Sequence, residues 1–269
     1  LKHTALITGG ASGLGRRTAE FLINQGWTVF AADINQTALQ DLPSPILPVI
    51  LDVTDPASIA DAVQEVERHT DGLDGIVNCA GILVVGSVIE VPESDLLHIL
   101  DVSLLGTYRI NKAFFHLVLR RRGRIVNLSS EIGWQTAAPF NGPYAMAKHA
   151  LEAYSDALRR ELMFLGIKVI KIQPGSFHTN LVAGVEAAFE RAIASAPYLG
   201  DILRRNMYLA VAELAKSHDP VLVARVIHKA LTTPHPKIAY SIKPDPLRSF
   251  LDRLPTPLLD FLIYRALKR

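Results

Sequence analysis

Cysteine is nearly missing from this chain of 269 residues: Cys79 is the only one, so no intrachain disulfide forms. Excess charge is missing too. Lys and Arg total 28 against 26 Asp and Glu, a formal net charge of +2 that leaves no electrostatic footprint for nucleic acid. Arg120, Arg121, Arg122 and Arg124 gather in one place, Arg204 and Arg205 in another, and both groups read as solvated turns and helix ends. No apolar run reaches the ~18 residues that would suggest a membrane-spanning helix. No segment has the character of a secretory signal peptide. The chain starts almost directly on a strand, so a short native N-terminal segment is expected to be missing from it. A reducing, cytoplasmic setting fits these observations, and no metal site is expected.

What is present is an ordinary globular composition, 49% apolar and 20% charged, with enough length for one large α/β domain or two small ones. Apolar strands are predicted at Thr4 to Thr8, Trp27 to Ala32, Pro45 to Leu51, Gly75 to Asn78, Gly123 to Leu128 and Ile167 to Gln173. Helical stretches separate them: Arg16 to Gln25, Pro56 to Thr70, two within Pro92 to Leu119, and Tyr144 to Leu165. Strands apolar on both faces, alternating with helices, imply an α/β fold with a doubly wound, mainly parallel sheet covered by helices on both sides. After Thr179 the pattern changes. Residues 180–217 are helix-rich without sheet-like alternation and read as a lid over the ligand edge of the sheet. A helix from Pro220 to Leu231 and a possible last strand, Ile238 to Ile242, complete one domain over residues 1–243. The tail, residues 244–269, alternates proline with Leu, Phe and Ile. It is expected to pack on the domain or on a partner subunit, with peripheral membrane contact as the less favoured alternative.

A strand that runs into Gly9, Gly10, Gly13 and Gly15 and then into a helix exposes unpaired backbone N–H groups at a helix N-terminus, which suits a pyrophosphate. The spacing departs from G-x-G-x-x-G. Asp33 closes the second strand, 20 residues beyond Gly13, where a carboxylate accepts hydrogen bonds from ribose hydroxyls and repels a 2′-phosphate. NAD is therefore expected rather than NADP, although Asp33 could instead cap a turn and Arg16 or Arg17 could reach a phosphate. Ile34 follows Asp33 directly. Asp52 and Val53 follow the third strand, where they could touch adenine or cap. Asn78, Ala80 and Gly81 follow the fourth, where small residues keep a groove open.

Tyr144 and Lys148 stand four apart on a helical stretch and so share one face. An ammonium near a phenol lowers the phenol's pKa, which would make Tyr144 a usable proton acceptor. The preceding strand ends in Ser129 and Ser130, where a hydroxyl can hold the substrate oxygen. Hydride leaving a carbinol carbon while Tyr144 takes the alcohol proton is the chemistry this arrangement predicts.

The motifs Thr8-Gly9-Gly10-Ala11-Ser12-Gly13-Leu14-Gly15, Asn78-Cys79-Ala80-Gly81, Ser130, Tyr144-Ala145-Met146-Ala147-Lys148 and Pro174-Gly175-Ser176-Phe177-His178-Thr179 occur in one order. Together they resemble the short-chain dehydrogenase/reductase family over roughly residues 3 to 240. The resemblance implies a Rossmann-type fold and a catalytic set of Ser130, Tyr144 and Lys148. It implies a dinucleotide lined by Gly9, Ser12, Gly13, Leu14, Gly15, Asp33, Ile34, Asp52, Val53, Asn78, Ala80 and Gly81. Pro174, Gly175, Phe177 and Thr179 would bracket the nicotinamide. The family's fourth catalytic residue is usually Asn in Asn-x-x-Gly, and here Ser103-Leu104-Leu105-Gly106 stands in its place. Ser103 keeps the backbone carbonyl used in the family's proton relay but loses a carboxamide that helps hold a helix kink. Activity is expected to survive, with an inactive dinucleotide-binding scaffold or an NADP-dependent carbonyl reductase as alternatives. The segments from Leu151 to Leu162 and Gly166 to Val169, with the apolar tail, resemble the hydroxysteroid and retinol dehydrogenase side of the family. Apolar lid residues, together with Ala137, Ala138, Pro139 and Phe140 before Tyr144, favour a hydrophobic alcohol or ketone of steroid, retinoid or lipid character. By the same resemblance, the helices around Leu104 to Leu119 and Tyr144 to Leu165 pair in a homodimer or homotetramer.

Overall fold

The computed structural model describes residues 2–214 and 216–268; Leu1, Ala215 and Arg269, and the side chains of Asn180 and Leu181, lie outside that description, and so do those positions of the expected lid and tail. Seven strands, β1 (Thr4–Thr8), β2 (Thr28–Asp33), β3 (Leu47–Ile50), β4 (Gly75–Asn78), β5 (Arg124–Leu128), β6 (Lys168–Pro174) and β7 (Ala239–Ile242), form one sheet in the order β3-β2-β1-β4-β5-β6-β7. Every pairing is parallel, from Thr4 opposite Thr28 to Pro174 opposite Ile242. The expected last strand is thus a full edge member of the sheet. Parallel strands need crossovers, which place helices on both faces and explain why β1, β4 and most of β5 and β6 are buried throughout.

On one face Ala19 and Leu22 of α1 (Gly13–Asn24) pack with strand residues Ala5, Ile7 and Val29; Val223, Ile227 and Ala230 of α11 (Val221–Thr232) join them. On the other face the same is done by Ile59, Ala62 and Val66 of α3 (Pro56–Glu67), Ile110 of α5 (Gly106–Ala113), Leu117 and Val118 of α6 (Phe115–Arg121), and Leu162 of α7 (Gly142–Leu162). Ile59, Ala62 and Val66 recur at the spacing of one helical face, so that face of α3 is a packing face. α1 begins three residues before the expected Arg16, because Gly13 and Gly15, poor helix formers, make its first turn behind the N-cap Ser12. The short α2 (Gln36–Gln40), which no periodicity announces, starts where the Asn35 side chain accepts the Ala38 N–H. α4 (Glu93–Leu100) runs into α5 through a π-helical turn at Asp101–Leu105.

Beyond β6, α8 (Asn180–Ala183) leads into α9 (Val185–Ala194) and α10 (Gly200–Leu214), which build their own apolar cluster from Val185, Phe189, Leu203 and Met207, joined by Val85. The tail forms α12 (Pro246–Leu251) and α13 (Thr256–Lys268). It is tied down by polar contacts: Arg205 donates to the carbonyls of Leu267 and Lys268, and Asp252 accepts the Thr136 N–H at 2.7 Å. Among the described residues, no helix is long and apolar enough to cross a membrane.

Candidate active site

Strand order reverses between β1 and β4, so the connections that leave these neighbours part and open a crevice at their C-terminal ends. A cavity of about 410 Å³ occupies it. One wall is the glycine turn. Gly9 and Gly13 have φ of +64° and +52°, and a Cβ on Gly9 would lie 2.9 Å from the Ala80 nitrogen. A Cβ on Gly15 would lie 2.1 Å from the Gly9 carbonyl oxygen, so the turn closes tightly on its own helix. Ser12 makes no side-chain capping bond and the first turn of α1 holds no acidic residue, which leaves its N–H groups available to an anion. Ser12, Gly13, Leu14 and Gly15 all line the cavity. This donor set fits a dinucleotide pyrophosphate.

Asp33 lines the cavity at the end of β2, beside the exposed Ile34. Its Oδ2 accepts the Ala11 N–H at 3.1 Å and its Oδ1 the Asn35 N–H at 3.0 Å. Turn capping and exposure to the ligand groove therefore coexist in one carboxylate, held still by two backbone donors. Arg16 is spent on Glu20 and the Asp41 carbonyl, and Arg17 on Glu20; neither lines the cavity. Asp52 likewise caps, its Oδ1 accepting the N–H and hydroxyl of Thr54 at 2.8 and 2.7 Å, while still lining the groove with Val53. Gly106 presses on Val53, since a Cβ there would come within 2.7 Å of Val53 Cγ2. Ala80, Gly81, Pro174, Gly175, Phe177 and Thr179 complete the expected lining.

Three expected positions stand elsewhere. Asn78 is turned into the interior, where its Nδ2 donates to Oδ1 of Asn111 and of Asn127 at 2.8 and 2.9 Å. Asn127 in turn donates to Ser155, and Asn111 to the Tyr154 hydroxyl. Amides buried beside strands need partners, and these partners lie on neighbouring elements rather than in the groove. Ser103 sits in the π-helical turn, its hydroxyl accepting the Ile82 N–H at 3.4 Å and its carbonyl the Thr107 hydroxyl at 3.2 Å. It does not line the cavity, and the distortion of the helix persists without a carboxamide. Phe140, with φ of +63°, packs against the apolar cluster of α9 and α10 instead of walling the pocket.

Ser130, Tyr144 and Lys148 come together at the inner end of the groove. Tyr144 and Lys148 project from α7, and Lys148 Nζ lies 5.6 Å from the Tyr144 ring centroid while donating to the Leu128 carbonyl at 2.9 Å. Ser130 ends the segment after β5, accepts the Ile132 N–H at 3.2 Å, and lines the groove beside Tyr144. Ser129 also lines the groove, but its buried hydroxyl has no partner among the described residues. The expected lowering of the Tyr144 pKa is overturned for the protein alone. Burial pushes it up to about 12, against the pull of the Ser130 hydroxyl and with a further push from the charge of Glu131. Burial brings Lys148 down to about 8, with Cys79 and Glu152 working against it. Desolvation wins because the ammonium is held over the ring face and bonded to a carbonyl, not to the phenol oxygen. Burial also lifts the Cys79 thiol to about 12, which makes it unreactive at neutral pH.

A second cavity, about 210 Å³, shares Ser130, Tyr144, Gly175 and Val182 with the first. Leu83, Val85, Ile132, Val185, Phe189 and Leu209 make it mainly apolar, and of the expected wall Ala138 and Pro139 take part. Among its polar members the sequence did not reveal Glu131 and Asn141, Asn206 and Glu213 of α10, and Arg248 of α12, nor His98 and Val102 in the first cavity. No local spacing marks them; only long-range packing brings α4, α10 and α12 here.

A family model described as short chain dehydrogenase matches residues 3–189. Retinol dehydrogenase 16 of Mus musculus is 35% identical over 96% of this chain and 86% of its own length. The human 17-beta-hydroxysteroid dehydrogenase type 6 is 34% identical over 97% of this chain and 87% of its own. In three dimensions, a short-chain dehydrogenase from Streptomyces avermitilis superposes with a TM-score of 0.80 at 26% identity, covering 100% of this chain and 98% of that one.

Proposed function

The chain belongs to the short chain dehydrogenase family, and we propose that it interconverts a hydrophobic alcohol and its carbonyl with NAD, using Tyr144 as the proton-transfer group. The coarser activity follows from membership: it is an NAD(P)-dependent oxidoreductase acting on an alcohol or carbonyl. The observation that carries the finer reading is that Ser130 and Tyr144 belong to the walls of both cavities, so a group in each would meet at their hydroxyls.

When bound, the dinucleotide accepts or supplies the hydride. Its pyrophosphate would rest on the turn from Gly9 to Gly15, and its adenosine ribose on Asp33. Ser130 holds the substrate oxygen and steadies the charge developing on it. Tyr144 takes the alcohol proton in oxidation and returns it in reduction. Lys148, close to the ring, favours the phenolate through its charge. NAD is supported over NADP because Asp33 faces the groove while Arg16 and Arg17 are occupied by Glu20.

The names of the relatives, retinol and hydroxysteroid dehydrogenases, point the same way as the apolar second cavity. Initial rates on retinols, sterols, fatty alcohols, cyclic alcohols and sugars, with NAD and with NADP, test the assignment. Apolar alcohols with NAD should give the highest kcat/KM; a preference for sugars, or for NADP, would refute the corresponding part. Exposed Leu105, Tyr108 and Met146 near α5 and on α7 support a homodimer or homotetramer. Light scattering giving only a 29.5 kDa species would refute that.

A further inference from the structure

The second cavity is not uniformly apolar. Asn206 and Glu213 lie seven residues apart on α10, two turns along one face, with Leu209 and Ala210 between them on the same wall. Arg248 reaches that wall from α12. Its Nε lies 3.2 Å and a terminal nitrogen 3.3 Å from the two oxygens of the Glu213 carboxylate. We infer that this polar strip makes Arg248, with Asn206 and Glu213, a determinant of specificity for substrates that carry a second, uncharged oxygen besides the one that reacts.

This rests on the alcohol–carbonyl activity proposed above and narrows its substrate. Three observations support it. The fork-like contact with Glu213 uses two of the five guanidinium donors, so N–H groups remain for a ligand. Glu213 cancels the charge of Arg248, and Glu131 adds another carboxyl to the same wall, so an anionic group would meet no net positive field. A neutral hydroxyl or ketone suits the strip, because it can accept from Arg248 or donate to Glu213. A hydrocarbon body alone would strip water from these groups and return no hydrogen bond. Arg248 also ties the tail to the lid, so recognition there would draw α12 and α10 onto the substrate.

The test uses matched polycyclic secondary alcohols that differ only by a second hydroxyl or ketone remote from the reacting carbon. Binding to the NADH complex, followed by cofactor fluorescence, and kcat/KM with NAD are measured for wild type, Arg248→Met, Arg248→Lys and Asn206→Leu. Wild type should favour the two-oxygen member about tenfold, the low end of what one hydrogen bond to a charged group is worth, and mainly through Kd and KM. Arg248→Met should bring that ratio to within about twofold, with Arg248→Lys and Asn206→Leu between. Equal binding of the pair by wild type, or equal loss for both members in Arg248→Met, would overturn the inference, the second outcome marking a purely structural ion pair. A two-oxygen preference in binding without turnover would keep the strip as the recognition site and refute the proposed activity instead.

Discussion

The two cavities that meet at Tyr144 are built by different means. The groove that fits a dinucleotide is made largely from backbone: a turn folded so closely that one Cβ would collide with it, and strand ends fixed by the parallel register. The pocket beside it is walled by side chains, those of α9, α10 and Arg248 of α12 meeting those of the segments after β4 and β5 and before α7. A backbone site tolerates almost no added volume but is indifferent to most side chains. A side-chain site is retuned one residue at a time while the hydride chemistry next to it stays in place. One fold can thereby keep its cofactor and change its substrate.

The sharpest way to break this contrast is Gly15→Ala. Its methyl group must displace the Gly9 carbonyl, so NADH affinity, read by fluorescence titration, should fall by about two orders of magnitude. The larger truncation Leu209→Ala in the second cavity should raise KM by less than about tenfold and leave NADH binding alone. Comparable damage from both changes would erase the distinction.

Lys148 probes the junction. Its value in the folded chain, about 8, lies below its ordinary 10.5, so folding disfavours the charged form. Between those values the unfolded chain binds more protons, and this group's contribution to stability rises with pH across the window. Lys148→Met should therefore gain about 3 kcal/mol of stability below pH 8, less what the lost bond to Leu128 takes back, and the gain should shrink toward pH 10. Turnover should fall in the same variant. Thermal melts at pH 6.5 and 10 that show no gain, or the opposite order, would contradict this account of the burial.

Asp33→Ala makes the smallest change. Affinity for NAD should drop roughly tenfold and the gap to NADP should narrow, because a ribose partner and a like-charge penalty vanish together. An unchanged NAD to NADP ratio in kcat/KM would show that Asp33 only holds the turn through Ala11 and Asn35.

The same contrast explains what could be read from the sequence. Strands apolar on both faces and glycines at a strand end are local signals, so β1, β4, the crevice and its glycine turn were legible along with most of the groove lining. Asn78 was placed in the groove because it stands at a strand end; its side chain instead completes an amide network with Asn111 and Asn127, which lie 33 and 49 residues away. Phe140 reads as a pocket wall, but a positive φ turns the chain there and its ring joins the apolar cluster of α9 and α10. Arg248 sits in a tail whose composition suggested only packing, and its partner Glu213 lies 35 residues earlier on another helix. The Tyr144 pKa is hidden from the sequence for a related reason: spacing along a helix gives proximity to Lys148 but says nothing of how deeply both are buried.

Tyr144→Phe tests the central claim most directly, since it removes one hydroxyl and leaves both cavities with nearly the same walls. Single-turnover hydride transfer should slow by about 10²- to 10⁴-fold, while NADH binding stays within about threefold of wild type. Hydride transfer at the wild-type rate with binding intact would contradict the assignment of the proton to Tyr144.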